Sequence, residues 1–202
     1  MSQRLTLYDQ LKRTLNSYKE NNVAAYLNAR MNFWSLSHFK VGTSPKQDGA
    51  AIFWQVDERW TVHGAKLLLF TPWGTLREHR PLASLEQLNP IFGRAELDRH
   101  SCFFGRHLLS PKLEGNNAKA IAIVEDELTA IERNIRDRSR VWLAAGNVEE
   151  LERAGGFRSL FAAFPYKDFE LYHRGEKVET WAGIAAKYRR RARIQLHGGG
   201  FP

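Results

Sequence analysis

Hydrophobic positions along this chain pass through three regimes. From about residue 5 to residue 33 they keep a helical period: Leu7, Leu11 and Leu15 recur every four residues, and after Asn21-Asn22 the pattern resumes with Val23, Tyr26 and Leu27. That spacing predicts a pair of N-terminal helices. From residue 39 to about 80 the apolar residues come in short strand-like runs, FKVG, AAIFWQV, WTVHGAKLLLF and TLREHR, broken by the turn signals KQDG, Asp57-Glu58, Gly64 and Pro72-Trp73-Gly74. A small antiparallel meander is expected there.

Beyond residue 118 continuous apolar runs alternate with helical periods. Residues 120–124, AIAIV, carry no polar alternation and run straight into Glu125, Asp126 and Glu127, after which Leu128, Ile131 and Ile135 return at helical spacing. A strand buried on both faces therefore hands over to a helix at an acidic turn. Residues 140–145, RVWLAA, read as a second buried strand closed by Gly146, with Asn147 as the N-cap of the next helix and Glu150 as its capping-box partner. Residues 160–164, LFAAF, read as a third strand ended by Pro165, with Asp168 and Glu170 as the acids after it. A last helix from Glu179 places Trp181, Ile184, Ala185 and Tyr188 on one face, and the terminal GGGFP is expected to be disordered. Strands separated by helices argue a parallel sheet with right-handed crossovers.

The expected fold class is thus α/β: a mostly parallel sheet flanked by helices over residues 96–202, preceded by an antiparallel β subdomain at 36–95 and helices at 1–35. Leucines at 82, 85 and 88 suggest a short helix or ordered loop, and residues 102–109 an apolar segment packed on the sheet.

Composition narrows the chemistry. The 202 residues carry a net charge of +8, which favours polyanionic partners. Five cations, Lys187, Arg189, Arg190, Arg191 and Arg193, crowd seven residues at the end of the last helix. A helix C-terminus is stabilised by positive charge, but five exceed what a cap requires, so a phosphate-contacting patch is expected. The aromatics Phe53, Trp54, Trp60, Phe70 and Trp73 alternate with cations and read chiefly as core, with one or two rings left for stacking. A lone Cys102 forms no internal disulfide and, with His100 and His107 and no second cluster, no recognisable zinc site; it suits a reducing cytoplasm. An apolar leader and any stretch long enough to span a bilayer are lacking, and G-x-x-x-x-G-K-[ST], G-x-S-x-G and H-E-x-x-H do not occur. A cytoplasmic protein without a membrane partner is expected.

The acidic turn is the sharpest candidate site. In open α/β sheets ligands bind at the carboxyl ends of the strands, where Glu125 stands. The helix macrodipole accounts for one or two acids in a first turn. Three adjacent carboxylates repel one another unless a hard cation, Mg²⁺ or Mn²⁺, lies among them.

The order of segments resembles proteins of the DUF6371 type from Bacteroidetes and their mobile elements, with a Toprim-like, primase-like C-terminal half. The correspondence runs through Asn21-Asn22, Val41-Gly42-Thr43-Ser44, the FWQVD of residues 53–57, Gly64-Ala65-Lys66, the FGRHLL of residues 104–109 and the VEDELTAI of residues 124–131. The resemblance implies a Toprim fold, a glutamate at the end of the first strand in acid-base chemistry, and an Asp-x-Asp pair after a later strand holding Mg²⁺ on a phosphate. Glu125 matches the glutamate. Tyr166 stands where the first aspartate belongs and Lys167 follows it, leaving Asp168 to hold the metal with Glu125, helped by Glu127 or Glu170.

Three functions follow. One is Mg²⁺-dependent phosphodiester chemistry, nucleotidyl transfer or cleavage, with Glu125 as the catalytic residue. Another is a catalytically degenerate Toprim domain that binds nucleic acid, DNA rather than RNA, through Lys187, Arg189, Arg190, Arg191 and Arg193. The third is an interaction module for replication or mobilisation proteins.

Overall fold

The computed structural model describes residues 6–31, 36–45, 47–73, 75–80, 102–111, 113 and 120–198. The chain divides into two compact units, Met1–Val56 with Thr61–Arg99, and Asp57–Trp60 with His100–Pro202. The fold class is α/β. Residues 81–90, His100 and residues 199–202, on which some of the expectations above fall, lie outside the described residues.

In the first unit α1 (Leu7–Thr14) opens on a capping box in which Thr6 and Asp9 each accept from the other's backbone N–H. Asn21 does the same work for α2 (Asn22–Met31): its Oδ1 accepts from the backbone N–H of Val23 at 3.0 Å and Ala24 at 3.3 Å, while its Nδ2 donates to the Gly42 carbonyl at 3.1 Å. Strands β1 (Val41–Thr43), β2 (Ala50–Val56), β3 (Val62–Phe70) and β4 (Leu76–Arg80) form the expected antiparallel sheet in sequential order. Every residue of β2 is buried, so it lies between two packed layers. Its Ala50, Ile52, Trp54 and Val56 join Ala65 and Leu67 of β3 around Leu11 of α1. Helix α1 and the sheet therefore share a core. Trp54 is buried in it, Phe53 and Phe70 are buried against each other, and Trp73 is 77 % exposed.

The second unit is a parallel sheet. Its elements are β5 (Ala120–Val124), α3 (Glu127–Arg136), β6 (Arg140–Ala144), α4 (Val148–Arg153), α5 (Gly156–Ala163), β7 (Asp168–His173), α6 (Val178–Tyr188) and β8 (Arg193–Gly198), with strand order β6-β5-β7-β8. Helix α3 covers one face, where Asn134 donates to the Trp142 carbonyl at 2.6 Å and accepts from its N–H at 3.0 Å. Helices α5 and α6 cover the other, with Phe161 edge-on to Phe169 at 4.6 Å and Phe157 edge-on to Trp181 at 6.1 Å. The segment before β5 packs against β6 as its sequence predicts, Phe104 exchanging two backbone hydrogen bonds with Ala144. Among the described residues no helix is long and apolar enough to cross a membrane.

Two expectations are corrected. Residues 160–164 do not form the third strand: α5 holds them up to Ala163, with Phe157, Leu160 and Phe161 buried and Ala162 and Ala163 exposed. Alanine is indifferent to the side of the chain it lies on, so an apolar run containing two of them conceals the helical period. The third strand is β7, whose DFELYH alternates about the buried Phe169 and Leu171. A fourth strand, β8, begins at Arg193, which the sequence assigns to the end of the last helix; that helix stops at Tyr188.

Candidate functional site

The order β6-β5-β7-β8 reverses direction at β5, because the chain leaves β5 for β6 on one side and returns to β7 on the other. In such sheets the crevice beyond the carboxyl ends of the two strands at the reversal is the usual ligand site. Glu125 lies there directly after β5, and the residues that end and follow β7 are His173 and Arg174.

Glu125 and Asp126 already have structural tasks. The Trp181 indole N–H donates to Glu125 Oε1 at 3.2 Å, and the Gly146 N–H donates to the Glu125 carbonyl at 2.7 Å. Asp126 is the N-cap of α3, accepting from the Thr129 N–H at 2.8 Å and the Thr129 hydroxyl at 2.7 Å. Arg174 donates to that hydroxyl at 3.1 Å and stands 3.8 Å from Asp126, putting a fixed positive charge against the acidic turn. Glu127 is buried in the first turn of α3. His173 is 7 % exposed, and its ring Nδ1 finds no hydrogen-bond partner among the described residues.

Asp168 is not in this site. The parallel register sets Ile121 beside Phe169, so Asp168 is level with the start of β5 and Glu125 lies beyond its end. The two carboxylates stand at opposite edges of the sheet, separated by five residues of strand or about 16 Å. Magnesium needs oxygen ligands at about 2.1 Å. Glu125, Glu127 and Asp168 thus do not fit the expected Mg²⁺ or Mn²⁺, and no group of three or more metal-ligating side chains exists among the described residues. The error follows from the misplaced third strand: with β7 at Asp168–His173, His173 ends the strand and Arg174 follows it. The alternation of DFELYH was the sequence signal that placed them.

At the amino edge of the sheet Asp168 pairs with Arg193 at 2.8 Å. Of the predicted cationic patch, Arg189, Arg190 and Arg191 are exposed in the turn between α6 and β8, and Arg193 is exposed at the start of β8. Lys187 is drawn aside into an ion pair with Glu152, whose hydrogen bond raises the lysine's pKa. Sequence reasoning missed the cations at the other end of this edge, Arg136 and Arg138, both exposed, and Arg140.

Arg140 anchors a charged cluster on the sheet face, donating to Glu170 at 2.7 Å, and the Tyr172 hydroxyl donates to the same carboxylate at 2.6 Å. Burial acts to raise the Glu170 pKa, but the hydrogen bonds from Arg140 and Tyr172 outweigh it and hold the carboxyl below the usual glutamate range. Burial and then the Glu170 bond push the Tyr172 phenol up to about 12. A carboxylate whose pKa is depressed by folding stabilises the fold above its unfolded value and loses that contribution as pH falls through the folded one. Urea denaturation of wild type and Glu170→Gln over a pH series is therefore expected to show a constant stability gap at neutral pH that closes below about pH 4. A gap independent of pH would contradict this account of Glu170.

A family model described as a domain of unknown function, DUF6371, matches residues 18–155. The chain belongs to the DUF6371 family. No curated protein and no solved structure matches it. The DUF6371 match takes in α2, the antiparallel sheet, β5, α3, β6 and α4, and ends before α5. Tyr166, Asp168, His173, Arg174 and the cations from Lys187 to Arg193 lie beyond it.

Proposed function

We propose that the second unit is a Toprim-like domain without the metal-holding aspartates, acting as a nucleic-acid-binding accessory in the replication or mobilisation machinery of a mobile element of Bacteroidetes, with DNA as its partner. The parallel sheet with its reversal at β5 and the glutamate ending that strand support the Toprim-like architecture. Arg174 beside the acidic turn, in place of a carboxylate, argues against metal-dependent phosphodiester chemistry there. The observation that carries the binding reading is the run Arg189, Arg190 and Arg191, exposed in the turn before β8 and followed by Arg193, on a chain of net charge +8.

Cations that contact phosphates release condensed counterions, so binding weakens with salt by roughly 0.7–0.9 in log–log slope per contact. The triple variant Arg189→Ala/Arg190→Ala/Arg191→Ala is expected to bind a labelled DNA oligonucleotide more weakly, with a salt slope smaller by about 2–3. Fluorescence anisotropy at several salt concentrations measures both. Full affinity and an unchanged slope in the triple variant would remove the proposal.

A further inference from the structure

We propose that Tyr166 is the base-stacking residue of a single-strand binding track along the amino edge of the parallel sheet. The inference rests on the nucleic-acid reading above and adds the form of nucleic acid and the residue that selects it.

The strand order sets the segments preceding β6, β7 and β8 along one edge. Arg136 and Arg138 precede β6; Phe164, Pro165, Tyr166 and Lys167 form the turn into β7, closed by a hydrogen bond from the Lys167 N–H to the Phe164 carbonyl at 3.1 Å; Arg189, Arg190 and Arg191 precede β8. The ring of Tyr166 thus lies between two groups of exposed cations, on strands three spacings or about 14 Å apart. Tyr166 is 90 % exposed, more than any other large hydrophobic side chain among the described residues. Its backbone is held from β8, since Arg193 donates to the Tyr166 carbonyl at 3.3 Å while pairing with Asp168.

The acids of this edge are paired within it and outnumbered by its cations. Asp137 and Glu170 are bound by Arg140 and Asp168 by Arg193, so the charge that remains is positive. The opposite edge carries Glu125, Asp126 and Glu127, with Arg174 beside them. An exposed aromatic face within a cationic track is how proteins hold single strands: the ring stacks on a base while the cations follow the backbone. A duplex keeps its base faces stacked on one another and has none to offer, so the ring distinguishes the two forms.

The test is fluorescence anisotropy of a labelled oligo(dT) and of a labelled duplex of equal length, over a salt series. Tyr166→Ala is expected to weaken oligo(dT) binding roughly 5- to 100-fold without changing the salt slope or the duplex affinity. Tyr166→Phe keeps the ring and is expected to bind as wild type, and Arg136→Ala/Arg138→Ala to lower the oligo(dT) slope by about 1.4. Wild-type affinity in Tyr166→Ala, together with weakened binding in the Arg189/Arg190/Arg191 variant, would overturn the stacking role and leave the nucleic-acid reading standing. No binding of either DNA by wild type would overturn both.

Discussion

Arg106→Ala is expected to destabilise the second unit by about 3 kcal/mol, because it strands a carboxylate that is largely shielded from water. The Arg106 side chain is 6 % exposed and that of Glu58 13 %, and the guanidinium meets the carboxylate through Nε at 2.6 Å and Nη2 at 3.3 Å. Its remaining arm donates to the Ser159 hydroxyl at 3.1 Å. The pair fastens the short segment 57–60 to the turn 106–109 and to α5, and the Trp60 ring lies 6.0 Å from that of His107 in the same place. Removing the arginine leaves Glu58 short of both water and a counter-charge. Removing both charges, as in Arg106→Met/Glu58→Gln, is expected to cost much less than the two single changes summed, since no uncompensated charge is then left inside. Chemical denaturation of the four proteins measures the coupling. A loss under about 1 kcal/mol in Arg106→Ala would mean that the pair is solvated.

The second large effect is expected in the first unit, where Gly42→Ala should cost about 2–4 kcal/mol. A Cβ at residue 42 would lie 2.2 Å from the Thr14 hydroxyl oxygen and 3.0 Å from the Thr14 carbonyl. Thr14 has nowhere to go. Its side chain is buried, donates to the Leu11 carbonyl at 2.9 Å and accepts from the Trp54 indole at 2.9 Å, so any shift parts α1 from β2. Thr14→Ala added to Gly42→Ala is expected to return only a small part of the loss, since it removes the 2.2 Å contact but keeps the Thr14 Cβ 2.6 Å away and leaves the Trp54 indole N–H unpaired. Thermal or urea unfolding reads the difference, and a Gly42→Ala protein as stable as wild type would show that α1 does not seat against β1 in this way.

Both predictions fall on residues that the sequence picks out as signatures, Gly42 and the FGRHLL segment, and Asn21 and Trp54 belong with them. Their tasks are now visible. Asn21 caps α2 and ties it to β1, Gly42 admits Thr14, Trp54 pins α1, and Arg106 holds a loop against α5. These positions keep the fold. Within VEDELTAI the same holds for Asp126, a helix cap, and for Glu125, bound to an indole. A pattern of signature residues can therefore specify an architecture without specifying a chemistry.

What the one-dimensional pattern settled were the terms that depend on near neighbours: the two N-terminal helices, the antiparallel meander, β5 with the acids after it, β6, and a final helix burying Trp181, Ile184, Ala185 and Tyr188. Period and capping chemistry are local, so they show in the order of residues. Tertiary structure alone decided where β7 begins, because an apolar run with two alanines fits a helix or a strand until something packs against it. With β7 placed, Asp168 falls at the amino edge and Arg174 at the carboxyl edge, and the proposed metal pair comes apart. It also decided that Tyr166 is a bare ring among arginines drawn from distant parts of the chain. Strand order, which brings Arg136, Tyr166 and Arg190 to one edge, comes from which faces bury against which, and no stretch of sequence carries that information by itself.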